Sequence, residues 1–309
     1  MFLLNMGKVD EMNFKKLELE DKSLFENYIY PYNFLSCEYS FTTLYIWKDA
    51  CDVQYTIYMD ALIIKKKDFE GNYHFMQPLG YKDEDLEVIL EELKNYKENN
   101  NMKYIFKDLD EEFVEKTKVI LTNHEKVQIE EDRDNFDYLY ESEKLISLSG
   151  KKLHKKKNHY NAFVKKYEYE VKEINSKEII EDVIEVANEW FNKNEHKDEI
   201  LYYENLGIKN ILRNIEFLNL KGIATYVDNK VVGVTVGEKL NNNLAIIHIE
   251  KGDIDYRGIY SFINRTFIMD YFSDVKIINR EQDLGIEGMR KAKMAYYPVK
   301  LEKKFILNW

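Results

Sequence analysis

Apolar and polar positions alternate along this chain so as to predict the same run of elements twice. In the first half, VQYTIYM and ALIIKKK flank Met59-Asp60 as a hairpin. They are followed by the strand YHFMQPLG, a helix near DEDLEVILEELKNY, the strand MKYIFKDL, a helix near EEFVEKTKVIL and a strand near KVQIEE. In the second half, IATYV and KVVGVTVGEKL flank an Asp228-Asn229 turn, which is a strong hairpin signal. The strand LAIIHIEKG, a helix from about Gly258 to Phe272, a strand VKIINRE, a helix from about Ile286 to Ala295 and a strand PVKLEKKFIL complete the second half. Each half therefore reads β-β-β-α-β-α-β, a repeat of pattern rather than of residues. Between them lie a lysine-rich segment, a polar strand YEYEVKEI and helices near KEIIEDVIEVANEWF and YYENLGIKNILRNIEFL. The predicted division is 1–140 and 141–309. With only Pro31, Pro78 and Pro298, no Pro/Gly/Ser tether separates the halves.

Composition narrows the class. At 309 residues, 45% of them apolar, with 24 Tyr and 17 Phe, the chain is long enough for two folded domains. Cys37 and Cys51 make neither a CxxC spacing nor a disulfide framework, which fits a reducing cytosol. The opening MFLLNMGKVDEMNF has an apolar run too short for a signal peptide, and no later run approaches the roughly 20 residues a bilayer requires. A cytoplasmic protein is expected. The formal net charge of -11 argues against general nucleic-acid binding.

Against that acidity, residues 151–166 read KKLHKKKNHYNAFVKK, with seven lysines, two histidines and no carboxylate. A helix here turns Leu153, Tyr160, Phe163 and Tyr167 inward. It presents Lys151, Lys152, Lys155, Lys156 and His159 as a phosphate-contacting ridge, or else as a solvated face or one pairing with acidic runs such as EEDRD at 130–134.

Several chemistries are absent. The sequence has no GxxxxGK loop, GxGxxG, GxSxG or HExxH. His154 and His159, five apart, do not share a helix face, so no metal site is expected. The informative stretch is LAIIHIEKGDIDYRGIYSFINRTF, 244–267. Strand alternation sets His248 and Glu250 on the face opposite Ile247 and Ile249. The turn Arg257-Gly258-Ile259-Tyr260 then opens a helix whose first N–H groups can cradle a phosphate, although an ordinary strand-turn-helix reads the same way. Residues 279–298, NREQDLGIEGMRKAKMAYYP, gather Arg280, Glu281, Asp283, Arg290, Lys291 and Lys293 at the end of a strand, where α/β folds form ligand crevices. If that strand continues, Glu281 and Asp283 share a face and can bind an amine. The bland alternative makes Asp283 a helix cap.

The order hairpin, strand, Arg-Gly turn, helix, strand, helix, strand is similar to the GNAT acyltransferases. More closely, HIEKGDIDYRGIYSFINRTF, INREQDLGIEGMRKAKMAYYPVKL and LSGKKLHKKKNHYNAF resemble a bacterial family grouped with the C-terminal aminoacyl-transferring domain of phosphatidylglycerol lysyltransferases. The resemblance covers nearly the whole chain and implies an α/β fold of mixed sheets, two GNAT-like domains in tandem, the first of them degenerate. It also implies transfer of an acyl group to an amine or hydroxyl, from acyl-CoA or an aminoacyl-tRNA as co-substrate, with no tightly bound cofactor. The turn DYRGIY has fewer glycines than the usual GNAT turn. On chemical grounds Glu250 is the expected base or amine-binding group, with His248 sharing that role. Tyr296 or Tyr297 is the phenolic acid, and Arg280, Glu281, Asp283, Arg290 and Lys293 bind substrate. Arg257, Gly258, Ile259, Tyr260, Lys155, Lys156 and Lys157 hold donor phosphates, and tRNA is a partner through the basic segment. A sensor of small anions and a scaffold for an acidic protein remain as alternative functions on the same fold.

Overall fold

The computed structural model describes residues 12–123, 126–193 and 198–309; the opening apolar run therefore lies outside the described residues. The chain divides into two compact units. The first takes the chain up to Pro31, Lys48–Glu130 and Phe305–Trp309, and the second takes Tyr32–Trp47 and Glu131–Lys304. This partition differs from the expected division at 140/141, because each unit draws a strand or helix from the other half of the sequence.

The first unit is built on a seven-stranded sheet. Its order is β1 (Lys15–Lys16), β2 (Gln54–Tyr58), β3 (Ala61–Lys67), β4 (Tyr73–Phe75), β5 (Phe106–Leu109), β14 (Phe305–Asn308), β6 (Gln128–Glu131), numbered along the chain. Strands β4 and β5 run parallel, as a helical crossover requires. That crossover is α3 (Leu86–Asn99), whose Leu86, Ile89, Leu90 and Leu93 bury against Phe75 and Phe106. Helix α4 (Glu111–Ile120) adds Phe113 and Val114 to this core, and α1 (Lys22–Ile29) buries Phe25 and Ile29.

The second sheet has the order β13 (Lys300–Glu302), β7 (Asp137–Glu141), β12 (Ile277–Asn279), β11 (Leu244–Gly252), β10 (Lys230–Lys239), β9 (Lys221–Val227), β8 (Tyr169–Glu173). Only β11 and β12 pair in parallel. Around this sheet stand α2 (Phe41–Ile46), α5 (Ser142–Ser147), α6 (His154–Lys166), α7 (Lys177–Lys193), α8 (Glu199–Arg213), α9 (Ile259–Tyr271) and α10 (Glu287–Met294). Helix α9 packs Phe267 and Ile268 onto Tyr138, Tyr140, Ile247 and Ile278, and this core fixes one face of the sheet.

Most of the predicted elements are present, including both hairpins. Met59-Asp60 and Asp228-Asn229 each have two residues at positive φ, as a type I′ turn demands. Three differences matter for the site. The C-terminal strand PVKLEKKFIL is two strands, one in each sheet, because Lys304, 1% exposed, turns inward to Asp137 and Glu38 and breaks the ladder between them. The strand VKIINRE stops at Asn279, since the next turn needs Glu281 at φ 54°. Strand β7, paired between β13 and β12 in the second sheet, was not predicted at all.

Candidate functional site

The expected alternation along β11 breaks at its centre. Val236 pairs with Ile249 but Gly237 pairs with Ile247, so His248 is the extra residue of a β-bulge. Ile247 thus joins the core under α9, and His248 turns away from Glu250 rather than sharing its face. Two separate polar clusters result.

The first cluster surrounds Glu250 beneath α9. Its Oε1 accepts from Arg280 Nη2 at 2.5 Å and its Oε2 accepts from Asn264 Nδ2 at 2.8 Å. Both side chains of the ion pair are 11% exposed, so the pair is nearly but not wholly sealed. The Arg280 guanidinium lies 4.6 Å from the Tyr296 ring centre and 5.6 Å from that of Tyr140. Lys156 reaches in from α6, its Nζ 3.9 Å over the Tyr296 ring. Burial, with Arg280 adding to it, lowers the Lys156 ammonium to about 8. Burial raises the Tyr296 phenol, whose Oη is 3.4 Å from Ser261 Oγ, so it keeps its proton at neutral pH. Three buried polar atoms here have no hydrogen-bond partner: Arg280 Nη1, Asn264 Oδ1 and the Oγ1 of Thr235, the cross-strand neighbour of Glu250. Such orphans are rare in native interiors.

The second cluster is centred on His248, whose side chain is fully buried. Nδ1 stands 2.9 Å from Glu281 Oε1 and Nε2 stands 3.0 Å from Glu238 Oε1. Burial alone would lower this imidazole, but the two carboxylates outweigh it and raise its pKa to about 9. Glu238 is in turn held by Ser40 Oγ at 2.5 Å and Thr42 Oγ1 at 3.2 Å. His248 therefore has no free ring nitrogen with which to act as a base.

The residues after β12 build a pedestal and not a carboxylate pair. Lys293 Nζ donates to the carbonyls of Arg280, Glu281 and Gln282 at 2.5, 3.1 and 2.7 Å. Asp283 is wholly buried and receives Arg290 through Nε and Nη2, Tyr138 Oη, Arg133 Nη1 and the Gly285 N–H. Burial would raise this carboxyl, yet Arg290, Tyr138 and the backbone hold it at about 2. Glu281 and Asp283 thus point to different partners, and Arg290 and Lys293 shape the loop. Of this group only Arg280 enters the Glu250 cluster. Tyr297 also stays outside, half exposed beneath Lys152, whereas Tyr296 is 5% exposed.

The basic segment is helical as expected, with Leu153 and Phe163 buried and Tyr160 and Tyr167 half-buried. Phe163 stacks on Phe262 of α9 at 4.5 Å between ring centres. Where α6 meets the start of α9, Gly258 has φ 95° and a Cβ there would lie 2.1 Å from the His159 carbonyl oxygen. The glycine thus serves the approach of two helices on the side where α6 lies. Gly258→Ala should destabilise the protein by about 2–4 kcal/mol through left-handed strain and overpacking, read as a shifted denaturation midpoint. Arg257 is exposed, its N–H donating to Tyr167 Oη at 3.2 Å; Ile259 is buried in the core and Tyr260 is 42% exposed. Lys155 and Lys157 are exposed and Lys156 is half-buried. Of the 130–134 acidic run, offered as an alternative partner for these lysines, two carboxylates bind cations elsewhere. Glu131 binds Lys303, and Asp134 binds Arg290.

Two mixed sheets, each with one parallel pair among antiparallel ones, and in the second unit a polar cluster between the central strands and the helix behind them, define an α/β protein of two units. Residues 31–308 match the family described as phosphatidylglycerol lysyltransferase, C-terminal, and the chain belongs to it. A conserved protein of unknown function from Bacteroides thetaiotaomicron is 30% identical, with 96% of this chain and 99% of that chain covered and a TM-score of 0.86. L-PGS from Bacillus licheniformis shares the fold at 13% identity, with 94% and 92% covered and a TM-score of 0.62. An uncharacterised protein of Mycoplasmoides gallisepticum is 32% identical over 174 residues, 56% of each chain, so the match spans little more than half of that relative.

Asn264, Thr235, Tyr140 and Ser261 in the first cluster, and Glu238, Ser40 and Thr42 in the second, were missed in the sequence. Asn264 and Ser261 were the most legible of them, polar residues one turn apart on the buried side of α9. The others carry no local signal. Among the described residues, no group of three or more His, Cys, Asp or Glu is placed to hold a metal ion, and no helix is long and apolar enough to cross a membrane.

Proposed function

We propose that this protein transfers an acyl or aminoacyl group from a phosphate-bearing donor to an amine or hydroxyl, at the Glu250 cluster. The observation that carries the reading is the set of buried polar atoms left over beside the Glu250–Arg280 pair. Asn264 Oδ1 and Thr235 Oγ1, next to the Glu250 carboxylate, suit an ammonium or hydroxyl group, and Arg280 Nη1 suits a carbonyl oxygen that gains charge during transfer. In this scheme Glu250 holds the acceptor and takes its proton, Tyr296 returns a proton to the leaving group, and Lys156 and Arg280 neutralise the oxyanion. His248, Glu281, Asp283, Arg290 and Lys293 support the site without touching substrate, and Tyr297 has no part in it.

Lys155, Lys156 and Lys157 fall in the first turn of α6, where the helix dipole disfavours positive charge. Lys151, Lys155 and Lys157 have no carboxylate partner among the described residues. Helix stability does not account for these lysines, whereas a polyphosphate lying along them does, and an aminoacyl-tRNA offers more phosphates there than coenzyme A. The α9 turn, closed on one side by the His159 carbonyl, supports the same preference.

The test is a thermal-shift panel of acetyl-CoA, longer acyl-CoAs, and charged and uncharged tRNA. A donor at about 100 times its dissociation constant should add about 2.7 kcal/mol of stability. Replacing Lys155, Lys156 and Lys157 together by Gln should reduce that shift and flatten its salt dependence. No shift with any donor overturns the assignment. A shift without turnover favours the second reading, a non-catalytic anion sensor, for which the unpaired Arg280 Nη1 speaks directly.

A further inference from the structure

Arg280 can serve the Glu250 cluster only if the loop that carries it is held in place, and that loop is strained. Glu281 and Leu284 both adopt left-handed backbone conformations, at φ 54° and 52°. Its ties come from several elements: the Arg280 N–H donates to the Tyr138 carbonyl at 3.0 Å and the Tyr138 N–H donates to the Glu281 carbonyl at 3.2 Å. Lys293 gathers the three carbonyls of residues 280–282, Asn279 Oδ1 accepts from the Glu281 N–H at 2.7 Å, and the Glu281 carboxylate is bound by His248. Lys293 and Asn279 fix the backbone next to Arg280. His248 ties the loop by a side chain to the centre of the sheet.

We infer that His248 is a positioning residue: from the bulge in β11 it clamps Glu281 against Glu238 and so aims the neighbouring Arg280 guanidinium at Glu250. The sequence of contacts runs Ser40 and Thr42 to Glu238, Glu238 to His248, His248 to Glu281, and through one peptide unit to Arg280. The bulge is what makes this possible. A regular β11 would place residue 248 on the face of Glu250 and leave only the apolar Ile247 and Ile249 on the side of Glu281, with no donor for its carboxylate. The imidazole must donate from both nitrogens to satisfy two carboxylates, which only its charged form does, and the pKa of about 9 keeps that form across the neutral range. Other charged groups facing this region are Lys293, lowered to about 8 by burial, and Asp137, which binds Lys304 and Asn279. Because Lys293 titrates in the same range, a pH profile alone does not isolate His248, and the test uses variants at fixed pH.

The inference rests on the reading of Glu250 and Arg280 as the transfer site, but its test addresses the ion pair and needs no donor. Wild-type protein and His248→Gln are treated with phenylglyoxal at pH 7.5, and modification of Arg280 is followed by peptide mass spectrometry against exposed Arg213 as internal reference. Glutamine carries both of its N–H donors on one nitrogen and cannot span carboxylates bound at opposite sides of the imidazole, so Arg280 should react at least about tenfold faster, the factor that a loss of about 1.4 kcal/mol in the protecting pair produces. Glu250→Gln, which removes the partner directly, sets the upper limit. Glu281→Ala should behave like His248→Gln, whereas Glu281→Gln, which keeps an acceptor for the imidazole, should stay near wild type. Should His248→Gln fail to fold, the Glu281 pair decides, since that side chain is partly exposed and its loss leaves Glu238 to hold the histidine. Arg280 protection unchanged in Glu281→Ala, or in a folded His248→Gln, overturns the clamp. Protection lost in these variants while no donor shifts the wild type would uphold the clamp and remove the transferase.

Discussion

Replacing Asp283 by Asn should cost about 3 kcal/mol of stability, the lower end of what breaking a buried ion pair removes. The carboxylate is wholly buried and receives two arginines, a tyrosine hydroxyl and a backbone N–H, none of which an amide NH₂ can replace as an acceptor. The lower end applies because Arg133 and Arg290 are each about a third exposed and can turn to water when the carboxylate is gone. The same site predicts an acid limb. With its pKa held at about 2, below the ordinary carboxylate value, Asp283 stabilises the fold fully above about pH 4 and loses that contribution as pH falls through 2. Urea denaturation between pH 2 and 7 checks both statements. The wild-type midpoint should fall at low pH, and the variant should start lower and fall less. A variant within about 1 kcal/mol of wild type at pH 7 would show the pedestal to be held by other ties.

Replacing Glu250 by Gln should lower turnover by roughly 10²–10⁴-fold, the span covered by loss of a positioned proton acceptor. Donor binding should change much less, since the phosphates are assigned to the lysines of α6. The amide keeps the hydrogen bond from Asn264 but leaves the Arg280 charge unpaired, so near-UV circular dichroism must first show a folded variant. Single-turnover measurement with whichever donor stabilises the wild type then separates the hypotheses. A transferase loses the chemical step and keeps the thermal shift; a sensor changes only in affinity. Equal turnover in wild type and variant would remove Glu250 from the chemistry.

Parts of the site were legible from spacing. Glu250 was found because alternation set a carboxylate on the polar face of a strand leading to the Arg257-Gly258 turn, and Arg280 because charged residues at the end of a sheet strand mark a crevice. The inward stripe of α6 was equally plain, since Leu153, Tyr160, Phe163 and Tyr167 recur at helical intervals. Asn264 lay within reach of the same argument. What misled was the assumption that alternation runs unbroken along β11. A bulge leaves no mark on periodicity when the residues around it are all apolar, and only the register against β10 shows that His248 and Glu250 part company. The pedestal was misread for a related reason. Glu281, Asp283, Arg290 and Lys293 look like a binding set because they are charged and close in sequence, but their partners, Arg133 and Asp134 among them, are up to 156 residues away.

By itself, the sequence determined the two β-β-β-α-β-α-β runs, both hairpins and the amphipathic helices, because each follows from interactions between residues a few positions apart. Tertiary structure alone decided which strand joins which sheet, that β7 and β14 each complete a sheet begun elsewhere in the chain, and which face of β11 carries the histidine. Those outcomes depend on the burial of particular charges, Lys304 between Asp137 and Glu38 above all. The desolvation of such a charge is repaid only by partners that the chain brings together after it has folded.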